Sequence, residues 1–136
     1  MKLLMFGAKE FWYKTFSKTI GNVESVNEEK RIQDSITVFI NVEKEDEERR
    51  EEVISKAVGN IKWLAKKNNC NKVVLHSFAH LSESKSSLEF AQDIIGDIKG
   101  KLSSNGLEAA TTPFGYFLEF KLHVKGESLA KVWKAI

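Results

Sequence analysis

Three periods of apolar residues follow one another along the chain. Lys2 to Phe6 is an apolar opening strand, and Glu10 to Phe16, reading EFWYKTF, predicts an aromatic-rich second strand closed by Gly21-Asn22. Residues 22–34 are polar and show no clear periodicity. Ile36 to Val42 is apolar or β-branched at nearly every position, which predicts a central strand covered on both faces. From Glu47 the period lengthens. Ile54, Ala57, Val58, Ile61, Leu64 and Ala65 recur at three- and four-residue spacing, so an amphipathic helix runs to Asn68-Asn69.

Lys72 to Leu75 returns to a short buried strand. Ser86 with Glu89 matches a capping box, and Leu88, Ala91, Ile95, Ile98 and Leu102 continue a second helix that Asn105-Gly106 closes. Alternation then takes over. Leu118, Phe120, Leu122 and Val124 share one strand face, and Glu119, Lys121 and His123 the other. Ser128 is expected to cap a short terminal helix carrying Leu129, Val132, Trp133 and Ile136. No repeat or linker interrupts residues 1–136, so one α/β domain is expected: a mixed β-sheet layer with two main helices packed on it.

Composition narrows the class without naming a function. With 136 residues, 42% hydrophobic and 29% charged, the chain suits an ordinary globular domain. At this size roughly 70% of the unfolded surface can be buried, so no disulfide or metal staple is needed. Cys70 has no partner within the chain, no leader sequence opens it, and no apolar run approaches the roughly 20 residues that span a bilayer. A cytosolic protein with no membrane contact is expected. A net charge of +2 is too mild to announce nucleic-acid binding, although Lys14, Lys18, Lys66, Lys67, Lys121, Lys125, Lys131 and Lys134 could form basic patches.

Most of the obvious chemistry fails on inspection. His76 and His80 stand four apart at a strand end, where that spacing does not converge two ligands, and no third ligand is evident for zinc. Ser82-Glu83-Ser84-Lys85 matches the S-x-x-K string of serine acyl-enzymes but lacks the companion motifs. There is no phosphate-binding glycine loop and no dinucleotide fingerprint, so neither a metal nor a cofactor is expected.

Two loops remain. LHSFAHLSES, residues 75–84, ends a strand on a compact apolar pair and a histidine. TTPFGYF, residues 111–117, surrounds the only proline; Pro113 fixes φ, and Gly115 permits a turn or close approach by a ligand. Phe114, Tyr116 and Phe117 could offer flat surface for a base to stack on.

FAHLS at 78–82 and PFGY at 113–116, with FINVEKEDE at 39–47 and FKLHVKGESLA at 120–130, make the chain resemble the N-terminal editing domain of archaeal threonyl-tRNA synthetases nearly end to end. The resemblance implies the D-aminoacyl-tRNA deacylase-like fold, a homodimer, and hydrolysis of serine mistakenly attached to tRNA-Thr. It implies a pocket lined by Val42, Glu43, Phe78, Ala79, Phe114, Gly115, Tyr116 and Phe117, with His80 reaching toward the ester. It also implies that the domain acts beside synthetase catalytic domains, on the same chain or a separate one. Leu118 and Lys131 depart from the family, which carries a lysine and an acid there. Hydrolysis would then lean on backbone groups, an ordered water and the 2′-hydroxyl of the tRNA. The alternatives are a D-aminoacyl-tRNA deacylase, whose serine–glutamine and glycine–proline loop motifs are missing, and a noncatalytic module for tRNA binding or dimerisation.

Overall fold

The computed structural model describes residues 1–136. Its elements are β1 (Lys2–Lys18), β2 (Glu29–Asn41), α1 (Arg50–Lys67), β3 (Lys72–Ser77), α2 (Leu88–Ser104), β4 (Glu108–Thr111), β5 (Tyr116–Val124) and β6 (Lys131–Ala135). One sheet runs in the order β4-β3-β2-β1-β5, with β6 also paired to β1. The pairs β2–β3 and β3–β4 are parallel and the others antiparallel.

The expected first and second strands are one strand. β1 runs unbroken for 17 residues and pairs with β2 along almost all of it. The interruption that the sequence suggests is a change of face. Leu3 and Met5 point into the core beneath the helices, whereas Phe11 and Tyr13 pack with Val74 on the other side of the sheet. Between them the register against β5 slips by one residue at Lys9, and Asp34, across from it on β2, takes φ 49°. An aspartate tolerates that left-handed conformation better than most residues. The polar stretch 22–34 contains the connection to β2 and the first part of β2 itself.

The terminal helix expected after Ser128 is also corrected. Ser128–Ala130 forms a single 3-10 turn, and Lys131–Ala135 is a strand laid antiparallel on Lys2–Phe6. A helix this short is marginal alone, while Val132 and Trp133 suit a strand, and the free edge of β1 supplies hydrogen bonds for one. The cap of α2 shifts by one residue as well. Ser87, not Ser86, accepts from Phe90 N, at 3.2 Å. Ser86 is engaged elsewhere, its N–H donating to Val42 O.

The main core lies between the sheet and the two helices. Ile36, Val38 and Ile40 of β2 meet Ile54, Ile61 and Leu64 of α1 and Ile94, Ile98 and Leu102 of α2. Thr37 and Phe39 are buried on the opposite face, so β2 is covered on both sides as its sequence predicts. The second cover is aromatic. Phe39 packs edge-on to Phe6 at 5.9 Å and to Phe120 at 5.5 Å. Phe120 belongs to β5, two strands from β2, so the sheet curls until this contact closes. No helix is long and apolar enough to cross a membrane.

Candidate active site

Where β3 ends and β5 begins, the two sequence-marked loops face each other across a cavity of about 320 Å³. Phe78, Ala79 and His80 line one side, and Phe114, Gly115, Tyr116 and Phe117 the other. Seven of the nine expected site residues therefore converge. Val42 and Glu43 are not part of the lining.

Glu43 has a different task, holding the loop that carries His80. Its Oε2 accepts from Ser82 Oγ at 2.7 Å, while Oε1 accepts from the Met1 α-ammonium at 2.7 Å and from Lys2 Nζ at 2.9 Å. Burial pushes the Glu43 carboxyl up, but these three donors outweigh it and hold it at about 2. Asn41, fully buried at the end of β2, holds the same loop. Its Oδ1 accepts from the N–H of Leu81 at 3.0 Å and of Ser82 at 3.1 Å, and its Nδ2 donates to Ser84 O at 3.1 Å. The sequence marked Asn41 only as part of FINVEKEDE; a polar residue closing an apolar central strand was the available signal.

With Leu81 and Ser82 tied down, Phe78 N–H donates back to Ile40 O at 2.8 Å. The backbone N–H groups of Ala79 and His80, between these anchors, donate to no protein acceptor. The same holds for Phe114 and Gly115 across the cavity. Four unpaired backbone donors thus belong to residues on two sides of the cavity lining, and donors of this kind can orient water or a carbonyl oxygen. His80 itself is exposed at the mouth, with its ring 5.0 Å from that of Phe78.

The opposite loop is shaped by Gly115 and Tyr116. Gly115 has φ 83°, and its carbonyl accepts from Thr19 N–H at 2.8 Å. Tyr116 Oη accepts from Val26 N–H at 2.7 Å and donates to Glu24 O at 2.6 Å. The 20–28 connection is thereby drawn against the cavity. Phe114 packs against the main core, whereas Phe117 is 55% exposed and available to a ligand.

Several lining residues escape sequence reasoning: Thr19, Ile20, His76, Ser77, Leu88 and Phe120. They come from segments far apart in the chain, and only the curled sheet gathers them. Leu118 lies on the cavity wall, so an aliphatic side chain stands at the position where the resemblance expects lysine. Lys131 is outside the lining; its Nζ donates to Gly126 O at 3.2 Å and Glu127 O at 3.3 Å.

A mixed, curled sheet with two helices on one face and a loop-lined cavity at the strand ends is the D-aminoacyl-tRNA deacylase-like fold. A solved structure described as c-Myc DNA Unwinding Element Binding Protein shares this fold at a TM-score of 0.68, with 13% identity, over 100% of this chain and 99% of its own. The model of the archaea-specific editing domain of threonyl-tRNA synthetase matches residues 1–136, and the chain belongs to that family. It is 35% identical to the threonine–tRNA ligase of Thermococcus gammatolerans, 37% to that of Methanosphaera stadtmanae and 34% to that of Pyrococcus horikoshii, each over 100% of this chain. It spans 22% of the length of each of these relatives.

Proposed function

We propose that this editing domain hydrolyses the ester of seryl-tRNA-Thr, acting as one unit over residues 1–136 beside synthetase catalytic domains. The reading rests on the cavity that the FAHLS and PFGY loops enclose, with four backbone N–H groups free at its two sides. Such a site answers a physical need. Serine is threonine without a methyl, and a missing methyl is worth only about 1–3 kcal/mol to a synthetic pocket, too little for accurate charging. A second, smaller pocket can admit serine and exclude threonine by size.

In this mechanism the terminal adenosine packs beside Ala79 and the Phe114–Tyr116 turn, with the ester facing the free N–H groups. Phe117, exposed at the rim, supplies a stacking face. A water held by those backbone donors and by the terminal 2′-hydroxyl attacks the ester carbon. The 3′-oxygen leaves with a proton. Leu118 offers no acid or base and Lys131 is turned away, so no lysine–acid pair takes part. His80 positions the seryl group or the water. Val42 and Glu43 support the site from behind, Glu43 through Ser82.

The test compares three reactions: wild type on seryl-tRNA-Thr, wild type on the same tRNA ending in 2′-deoxyadenosine, and His80→Ala on the normal tRNA. Losing a general base typically costs about 10²–10⁴-fold, whereas a positioning contact costs less. The deoxy substrate should suffer the larger loss. A deoxy substrate that reacts normally while His80→Ala is inactive would make His80 the base and overturn the mechanism.

A further inference from the structure

The cavity has a second imidazole, set deep where His80 is exposed. His76, near the end of β3, is only 6% exposed yet lines the same cavity. Its Nδ1 lies 2.9 Å from Thr112 Oγ1. No protein atom is hydrogen-bonded to Nε2, and no fully enclosed side-chain nitrogen or oxygen in the molecule lacks a partner. Nε2 is therefore open to the cavity. The ring cannot turn freely: it stands edge-on to Phe39 at 5.1 Å and lies 6.0 Å from Phe78 and 6.4 Å from Phe120. Burial lowers its pKa to about 4, so it is neutral at physiological pH and can either donate or accept one hydrogen bond.

Among the other polar side chains of the lining, Tyr116 Oη already has two partners, Thr19 and His80 are exposed, and Ser77 is less deeply buried than His76. A fixed, neutral hydrogen-bonding atom among aromatic rings suits a small uncharged polar group of a substrate. A hydrogen bond there is stronger than in water, and a substrate that fails to make it leaves the imidazole unpaired.

Building on the deacylase reading above, we propose that His76 is a specificity-determining residue whose Nε2 binds the β-hydroxyl of the esterified amino acid, with Thr112 fixing the tautomer. The site then selects for a hydroxyl as well as against threonine's methyl.

The experiment measures hydrolysis of seryl- and alanyl-tRNA-Thr by wild type, His76→Phe and Thr112→Val. The ratio of the two rates from one preparation does not depend on how much of that preparation is folded. Wild type should favour the seryl ester by at least about tenfold, as sites built to bind a hydroxyl do. His76→Phe should bring the two rates together by losing seryl activity, and Thr112→Val should reduce the ratio in part. A ratio unchanged in His76→Phe overturns the assignment, as does a wild type that cleaves both esters equally. If His76→Phe does not fold, an unchanged ratio in the near-isosteric Thr112→Val overturns it instead. A wild type that cleaves neither ester refutes the deacylase reading itself, an outcome distinct from the other three.

Discussion

At Gly115 a Cβ would stand 2.8 Å from Val23 Cγ1, on a backbone with φ 83°. Glycine is therefore required by the turn, and the space beside it is filled by the protein's own connection. Gly115→Val should cost about 1–3 kcal/mol of stability, read as a lower urea midpoint. An unshifted midpoint would show that the loop adapts. His76 makes a second prediction, about pH. Its folded pKa of about 4 lies below the ordinary 6.5, so between those values the unfolded chain binds the extra proton. Stability should then fall on acidification from pH 6.5 to 4, and His76→Phe should flatten that part of the curve. An identical slope in the variant would contradict the buried, neutral imidazole. At this scale the sequence was partly legible. PFGY and FAHLS marked residues that do meet, but His76 drew notice only as a metal ligand. Its burial depends on Phe39, its register partner on β2, and on Phe120 of β5, which reaches it only when the sheet curls.

The two helices and the strands β2, β3 and β5 follow directly from periodicity, because each buries a stripe or face that its own residues define. β1 and β6 did not, for a shared reason. A strand that changes face midway breaks its own alternation, and a terminal segment with helical spacing becomes a strand when an open edge lies beside it. The loop bearing His80 has no element of its own; β2 supports it through Asn41. Asn41→Leu keeps the volume but removes the acceptor for two N–H groups and the donor to Ser84 O. It should cost about 1–3 kcal/mol, the usual penalty for unpaired buried polar groups, and should lower seryl-tRNA hydrolysis by more than the loss of folded protein explains. Circular dichroism melts beside single-turnover rates would separate the two effects, and a rate that tracks only the folded fraction would leave Asn41 a purely structural role.

Over the whole molecule, apolar surface remains on the side of β1 that β5 and β6 flank. Phe117 is 55% exposed, Phe120 40% and Trp133 53%, close to strand edges that another chain could extend or cover. A two-fold dimer is the expected solution state, and light scattering at micromolar concentration should give about twice the 15.5 kDa of one chain. A 15.5 kDa species alone would contradict it. The family was legible from four short motifs in order, and so were the two loops of the cavity. The rest of its wall was not, since it comes from the turn after β1, the end of β3, the start of α2 and β5. The most direct measurement of the central claim is the rate at which the isolated chain deacylates seryl-tRNA-Thr and threonyl-tRNA-Thr under single-turnover conditions, each against its rate in buffer. The account predicts that the seryl ester is cleared at least about tenfold faster than the threonyl ester, the discrimination one methyl can provide. A seryl ester lost no faster than in buffer, or a threonyl ester lost equally fast, would contradict it.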